Sequence, residues 1–396
     1  MKSVIIDGAR TPIGKMGGVL SSFKAPELGG LVLKETLKRS KLQPDAVDEV
    51  IMGNVLQAGV GQLPSRQAMH AAGIPWDVKT ETINKVCASG MRAVTMADVA
   101  IRAGEAEVIL AGGMESMSNA PYYMPKARFG ARMGDATLVD GMVYDGLTCS
   151  FTNVHMGVYG NETAEDLQLS RDDQDRWAAR SQELAVAAIE SGIMSEEIVS
   201  VEVKGRKGET TVVDRDEAPR KGTTAEALAK LKPVFGKDGT ITAGNAPGVN
   251  DGACAMLVMS EDRAKQEGMN PLATIVAHER IAVDPKDFPK TPGLVINKLL
   301  EKTSVSLSDI KRFEINEAFA AVALASNQLA DLDETKVNVN GGAVAYGHPI
   351  GASGARIVLA LAYELKRIGG GYGIASICSG GGQGDAVLLY VEEDAS

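Results

Sequence analysis

Short β-branched runs alternate with helical stretches through the first 119 residues. Ser3 to Asp7, Glu49 to Asn54, Thr80 to Asn84 and the apolar Glu107 to Gly113 predict strands. Between them, Leu28 to Arg39, Ser65 to Ala72 and Cys87 to Ala103 predict helices, the last ended by Gly104. Strands alternating with helices imply βαβ units and a parallel sheet.

From about residue 120 to 250 the pattern changes. It carries Met and Tyr at first, then dense charge, with one long amphipathic helix from Asp172 to Ser191. Ser170-Arg171-Asp172-Asp173 places an acceptor and first-turn acids at that helix start. This stretch reads as an inserted subdomain, after which Ala253 to Met259 resumes an apolar strand. The C-terminal part then repeats the first. Cys87-Ala88-Ser89-Gly90 opens one helix and Gly351-Ala352-Ser353-Gly354 another, at an offset of 354 − 90 = 264 residues. Each helix is followed by an apolar strand closed by glycines, Gly112-Gly113 and Gly380-Gly381-Gly382. That scale implies duplication of a whole βα domain; a solenoid would repeat every ~20–50 residues.

Composition narrows the class. The chain has 396 residues, 44% hydrophobic and 23% charged, enough for two or three domains with sizeable cores. A formal net charge of −10 argues against nucleic acid as a partner. One stretch departs from this average: Lys204 to Lys237 holds nine Lys/Arg against five Asp/Glu, a local +4. Such a run is either a solvated face or a receiver of a phosphate-bearing small ligand. No segment approaches the ~20 consecutive apolar residues of a membrane span. The start, Met1 to Gly8, has only three apolar residues before Asp7 and reads as a buried strand, not a signal peptide. The 4 cysteines show no CxxC spacing and no His-x-x-x-His pair exists, so neither a disulfide framework nor a metal site is expected. A reducing cytoplasm is the simplest compartment.

The scarce chemistry sits in glycine-rich turns. Cys87 lies where a strand turns into a helix, where the N-terminal N–H groups lower a thiol pKa from about 8.5. The alternative is a small buried hydrophobe. Cys378 ends the apolar run Ile374 to Ile377 and precedes three glycines whose N–H groups suit an oxyanion. His348 precedes Pro349, which restricts its backbone to extended conformations. Asn316, in Glu314-Ile315-Asn316-Glu317-Ala318-Phe319-Ala320, heads a predicted helix, with a plain N-cap as the simpler account. Cys149 and Cys254 lie in apolar surroundings and read as structural.

In this order, Asn-x-x-Cys-Ala-Ser-Gly, Asn-Glu-Ala-Phe-Ala, Gly-His-Pro-x-Gly-Ala-Ser-Gly and Cys-x-Gly-Gly-Gly resemble the thiolases, and within them the acetyl-CoA acetyltransferases. The likeness runs from Gly8-Ala9-Arg10-Thr11-Pro12 to Gly380-Gly381-Gly382, essentially the whole chain. It implies an α/β fold of duplicated halves layered α-β-α-β-α, with a loop domain inserted in the first. Expected boundaries are 1–119 with 251–269, 120–250, and 270–396.

The resemblance also implies roles. Cys87 would carry the acyl group. His348 would assist its deprotonation and, with a water on Asn316, bind the second thioester oxygen. Cys378 would remove the α-proton, and the N–H groups of Cys87 and Gly380 would hold the other oxyanion. His155, Met156, Arg220, Phe235, Ala243, Pro247 and Phe319 would bind the coenzyme A thioester. Pro247 stands where the family commonly has serine, removing a hydroxyl and an N–H from a pantetheine contact. The substrates would be acetyl-CoA, acetoacetyl-CoA and CoA, with no cofactor. Asn119 to Asp145 resembles the family's tetramerisation region, so a homotetramer is expected. The competing functions are a broader 3-ketoacyl-CoA thiolase, a non-catalytic acyl-CoA binder of the same fold, and a cysteine hydrolase.

Overall fold

The computed structural model describes residues 2–205 and 208–393; Arg206 and Lys207 of the basic stretch lie outside the described residues. The main sheet contains β1 (Ser3–Arg10), β2 (Glu49–Gly53), β3 (Lys79–Ile83), β4 (Val108–Ser116), β5 (Asn250–Ser260), β6 (Ala273–Ala282), β7 (Ile310–Ile315), β8 (Gly371–Ser379) and β9 (Gln383–Val391). The helices that matter for the site are α1 (Ala25–Ser40), α2 (Pro64–Ala71), α3 (Ser89–Ala103), α4 (Met156–Asp166), α5 (Arg171–Glu190), α6 (Thr291–Lys302), α7 (Ala320–Ala330) and α8 (Ser353–Arg367).

Side-chain alternation along β1 sets the layering, because successive residues of a strand point to opposite faces. Val4 and Ile6 pack with Leu28, Val32 and Leu33 of α1. Ile5 packs on the other side with Val94, Ala97 and Ile101 of α3 and Ile357 and Leu361 of α8. In the second half, Phe313, Ile315 and Ile374 face Val295, Ile296 and Leu299 of α6 and Ala323 of α7. Ala375 and Ile377 face the α3–α8 side. The result is five layers, α-β-α-β-α. Each half supplies an outer helical layer, a sheet and one helix of the shared central layer.

The duplication is visible in the strand order. In the first half the strands lie as β3–β2–β4–β5–β1, with β2 parallel to β3 and β4 and the rest antiparallel. In the second, β7 runs parallel to β8, while β8–β9 and β9–β6 are antiparallel. Where the first half has β3, the second has a single parallel bridge from Phe313 to Val337. A short antiparallel seam, Ser3–Ile5 against Ala273–Ile275, joins the halves.

The glycines at the matching helix starts, spotted as turn formers, prove to be packing devices. A Cβ on Gly90 would lie 2.8 Å from the backbone N of Ala355, and one on Gly354 would lie 2.5 Å from that of Met91. Each glycine therefore lets the opposing central helix rest on bare backbone.

Between β4 and β5 the chain leaves the main sheet. It forms a small hairpin, Tyr122–Tyr123 with Val139–Asp140, then α4 and α5, then a second hairpin, Val201–Lys204 with Thr210–Val213. Ser170 caps α5 as the sequence predicts, its hydroxyl accepting from the N–H of Asp173. Two expectations need correction. Helix α3 begins at Ser89 with Ala88 as N-cap, so Cys87 lies outside it. Helix α7 begins at Ala320 with Phe319 as N-cap, so Asn316 caps nothing.

Candidate active site

The Cys87 turn is pinned from both halves of the molecule. Val86 takes φ 46°, in the left-handed region that a β-branched residue rarely enters. Several contacts hold it there. Asn84 Oδ1 accepts from Val86 N at 3.0 Å, and Ser89 Oγ accepts from Lys85 N at 2.8 Å while donating to Val86 O at 2.6 Å. From the second half, Ser379 Oγ donates to Lys85 O at 2.5 Å, and Asp385 pairs with Lys85 Nζ at 2.5 Å. The turn aims a half-buried Cys87 into a cavity. A Cβ on Gly380 would sit 3.4 Å from Val86 Cγ1, which marks how closely the glycine run passes the turn.

Burial overrides the helix-terminus effect expected from sequence. Desolvation pushes the Cys87 thiol up to about 12, although the N–H groups of Gly380 and of Cys87 itself donate to the sulfur and pull the other way. Resting Cys87 is a thiol. Cys378, at the end of β8, is fully buried; desolvation raises its pKa well above the usual thiol value, and the neighbouring Cys87 adds to the shift.

His348 is set by two residues whose roles the sequence did not reveal. Asn250, at the start of β5, accepts from the His348 backbone N–H at 2.9 Å. Ser353 Oγ lies 2.6 Å from the ring Nδ1 and donates its own proton to Pro349 O at 3.0 Å. The hydroxyl is therefore the acceptor from the ring, which assigns the proton to Nδ1 and leaves Nε2 bare. Nε2 faces Asn316 Nδ2 at 3.5 Å, too long for a well-formed hydrogen bond. Burial, with a smaller push from Arg356, lowers the imidazole to about 3. It is neutral at neutral pH and able to accept a proton.

With Cys87 at about 12 and His348 at about 3, proton transfer within the pair leaves a negligible thiolate–imidazolium population. The alkylation rate of Cys87 by iodoacetamide is therefore expected to rise about tenfold per unit between about pH 6 and 10. A plateau near neutrality, measured by mass spectrometry of the Cys87 peptide, would reveal an ion pair and contradict this assignment.

The cavity above Cys87 has a volume of about 260 Å³. His155, Met156, Phe235, Ala243, Pro247 and Phe319 all line it, together with His348. The rings of His155 and Phe235 stack with centroids 4.4 Å apart, and Phe235 meets Phe319 edge-on at 6.4 Å. Leu147, Met117, Val249 and Ile350 complete an apolar wall that no motif announced. Arg220 is not brought there: it is exposed, with its backbone N–H held by Gln182 Oε1 at 2.8 Å. Cys378 belongs to a buried cluster that includes Tyr159, Phe288, Ala318 and Phe319. A larger groove of about 620 Å³ opens at the seam near Arg102, Tyr372 and Tyr390, but none of the four motif residues lines it. Cys149 and Cys254 are buried and unpaired.

A strained cysteine turn, a glycine N–H at its sulfur, a neutral imidazole and a second buried thiol are the kinds of group that acyl transfer between thiols requires. Residues 3–262 match the family described as thiolase, N-terminal domain, and residues 269–391 match thiolase, C-terminal domain. The chain belongs to the thiolase family. It is 49% identical over 386 residues to an acetyl-CoA acetyltransferase of Pseudomonas aeruginosa and 48% identical to one of Allochromatium vinosum, covering 98% of each chain in both comparisons. The crystal structure of the Bacillus anthracis acetyl-CoA acetyltransferase superposes with a TM-score of 0.96 at 44% identity, again over 98% of both chains.

Proposed function

We propose that this thiolase is an acetyl-CoA C-acetyltransferase, condensing two acetyl-CoA to acetoacetyl-CoA and CoA through an acetyl-Cys87 intermediate. The observation that carries the reading is the Cys87 sulfur, held under the Gly380 N–H at an apolar cavity beside a neutral His348.

Nε2 of His348 takes the Cys87 proton as the sulfur attacks the first thioester carbonyl. The C–S bond to CoA breaks, and CoA leaves with that proton. The N–H groups of Cys87 and Gly380 carry the oxyanion. A second acetyl-CoA then enters. Cys378 gives its proton to Nε2 of His348 and, as a thiolate, removes the α-proton, while the Nε2–H so formed and a water on Asn316 hold the enolate oxygen. Burial disfavours the resting thiolate of Cys378 and makes it a stronger base once formed. The carbanion attacks acetyl-Cys87, the C–S bond to Cys87 breaks, and the proton on His348 passes to the departing sulfur, which leaves Cys378 a thiol again.

The pantetheine arm runs between Phe235, Ala243 and Pro247, and the coenzyme's phosphates meet the basic stretch 204–237, Arg220 included. The aromatic residues packed around Cys378 favour a short acyl group. Assembly is a homotetramer joined through the first hairpin, a reading supported by Phe129, Met133 and Leu138, exposed at 82%, 97% and 62%. The compartment is the cytoplasm, the simplest setting for free cysteines with no disulfide pattern.

The test is thiolysis with CoA of acetoacetyl-CoA against 3-ketohexanoyl-CoA. The four-carbon substrate is expected to win by at least about tenfold in kcat/KM, since added methylenes must displace packed side chains. Equal or reversed rates would make the protein a broader 3-ketoacyl-CoA thiolase, and no thiolysis would leave a binder.

A further inference from the structure

Asn316 carries a proposed role in condensation, yet its side chain has little to hold it. It is fully buried, its Oδ1 has no hydrogen-bond partner, and its Nδ2 has only the 3.5 Å contact to His348. Its placement must come from the backbone. Its own N–H donates to Ser376 O at 3.0 Å, and its carbonyl accepts from the Ala318 N–H at 2.9 Å. A further anchor is the next side chain.

Glu317 is also fully buried, and both its oxygens are doubly occupied. Oε1 accepts from Trp177 Nε1 and from Asn338 Nδ2, each at 2.9 Å. Oε2 accepts from Ser181 Oγ at 2.8 Å and from the Val344 N–H at 3.0 Å. The donors come from three separate segments: helix α5, the loop at Asn338, and the strand-free run that leads to His348. A Cβ on Gly342 would fall 2.2 Å from the Glu317 carboxyl carbon, so the loop closes directly on the carboxylate. Four donors around two oxygens saturate a carboxylate and leave it one orientation.

We propose that Glu317 is a positioning residue for condensation: its carboxylate fixes the backbone that presents Asn316 to the second acetyl-CoA. The inference rests on the role proposed above for Asn316. His348 does not depend on Glu317 in the same way, because Asn250 holds its backbone and Ser353 its ring. The two half-reactions should therefore separate. Acetylation of Cys87 uses His348 and the Cys87 and Gly380 N–H groups, whereas only carbon–carbon bond formation uses Asn316.

The measurement is Glu317→Gln, which keeps shape but turns an NH₂ toward two donors. Rapid-quench mass spectrometry of acetyl-Cys87 should show acetylation within about threefold of wild type. Steady-state condensation should fall about 100-fold in kcat with little change in KM, as expected for a reacting group displaced by about 1 Å. Ser181→Ala removes one donor and leaves the carboxylate, so it puts the same question to a milder variant; condensation should fall about tenfold with acetylation intact. If both variants lose the two half-reactions in proportion, or lose neither, the proposal fails. Wild-type enzyme lacking an acetyl-Cys87 intermediate would instead overturn the function on which it rests.

Discussion

Cys87→Ala is expected to abolish turnover, lowering condensation and thiolysis at least about 10⁴-fold, because the acetyl carrier is removed. Neither buried Cys149 nor Cys254 lines the Cys87 cavity. The variant should still fold. Cys87 lies outside α3, and the contacts that hold its turn come from Asn84, Lys85, Ser89 and Ser379 rather than from its own side chain. Brief exposure to acetyl-CoA followed by mass spectrometry should find the wild-type adduct on the Cys87 peptide and none in the variant. An active Cys87→Ala chain, or wild-type acetylation elsewhere, would overturn the mechanism.

Cys378→Ser should have the second largest effect, and a selective one. A serine hydroxyl fits the buried end of β8 with little loss of volume but is a far poorer source of a basic anion. Condensation is expected to fall about 10²–10⁴-fold, the usual range for a lost general base. Acetylation of Cys87 needs no α-proton removed and should proceed nearly unchanged, so acetyl-enzyme should accumulate. Wild-type condensation rates in this variant would remove Cys378 from its role.

Much of this was legible in the chain. The short β-branched runs and the 264-residue offset between Gly90 and Gly354 foretold strands, helices and duplication, because these depend on local composition and spacing. The motif turns singled out Cys87, Asn316, His348 and Cys378 from the chain alone. What could not be read depends on contacts across the fold. Asn250 sits 98 residues from the His348 N–H it accepts from, and nothing in its neighbours announces that partner. The sign of the Cys87 shift was missed for a related reason: the helix end is a local feature, whereas desolvation sums over walls supplied by distant segments. Arg220 was placed by likeness to a family pattern, and the cavity lining does not include it. Glu317 was in plain view inside the Asn316 motif, but four donors from three remote segments give a carboxylate its meaning only after folding.

The bare crossing of the two central helices has a consequence for how such a chain can vary. One helix follows the nucleophile and the other follows the imidazole, so any wedge driven between them pulls the reacting pair apart while it loosens the interior. Heat tolerance and rate cannot be traded against each other at Gly90 or Gly354. A lineage that drifts there forfeits both in a single step.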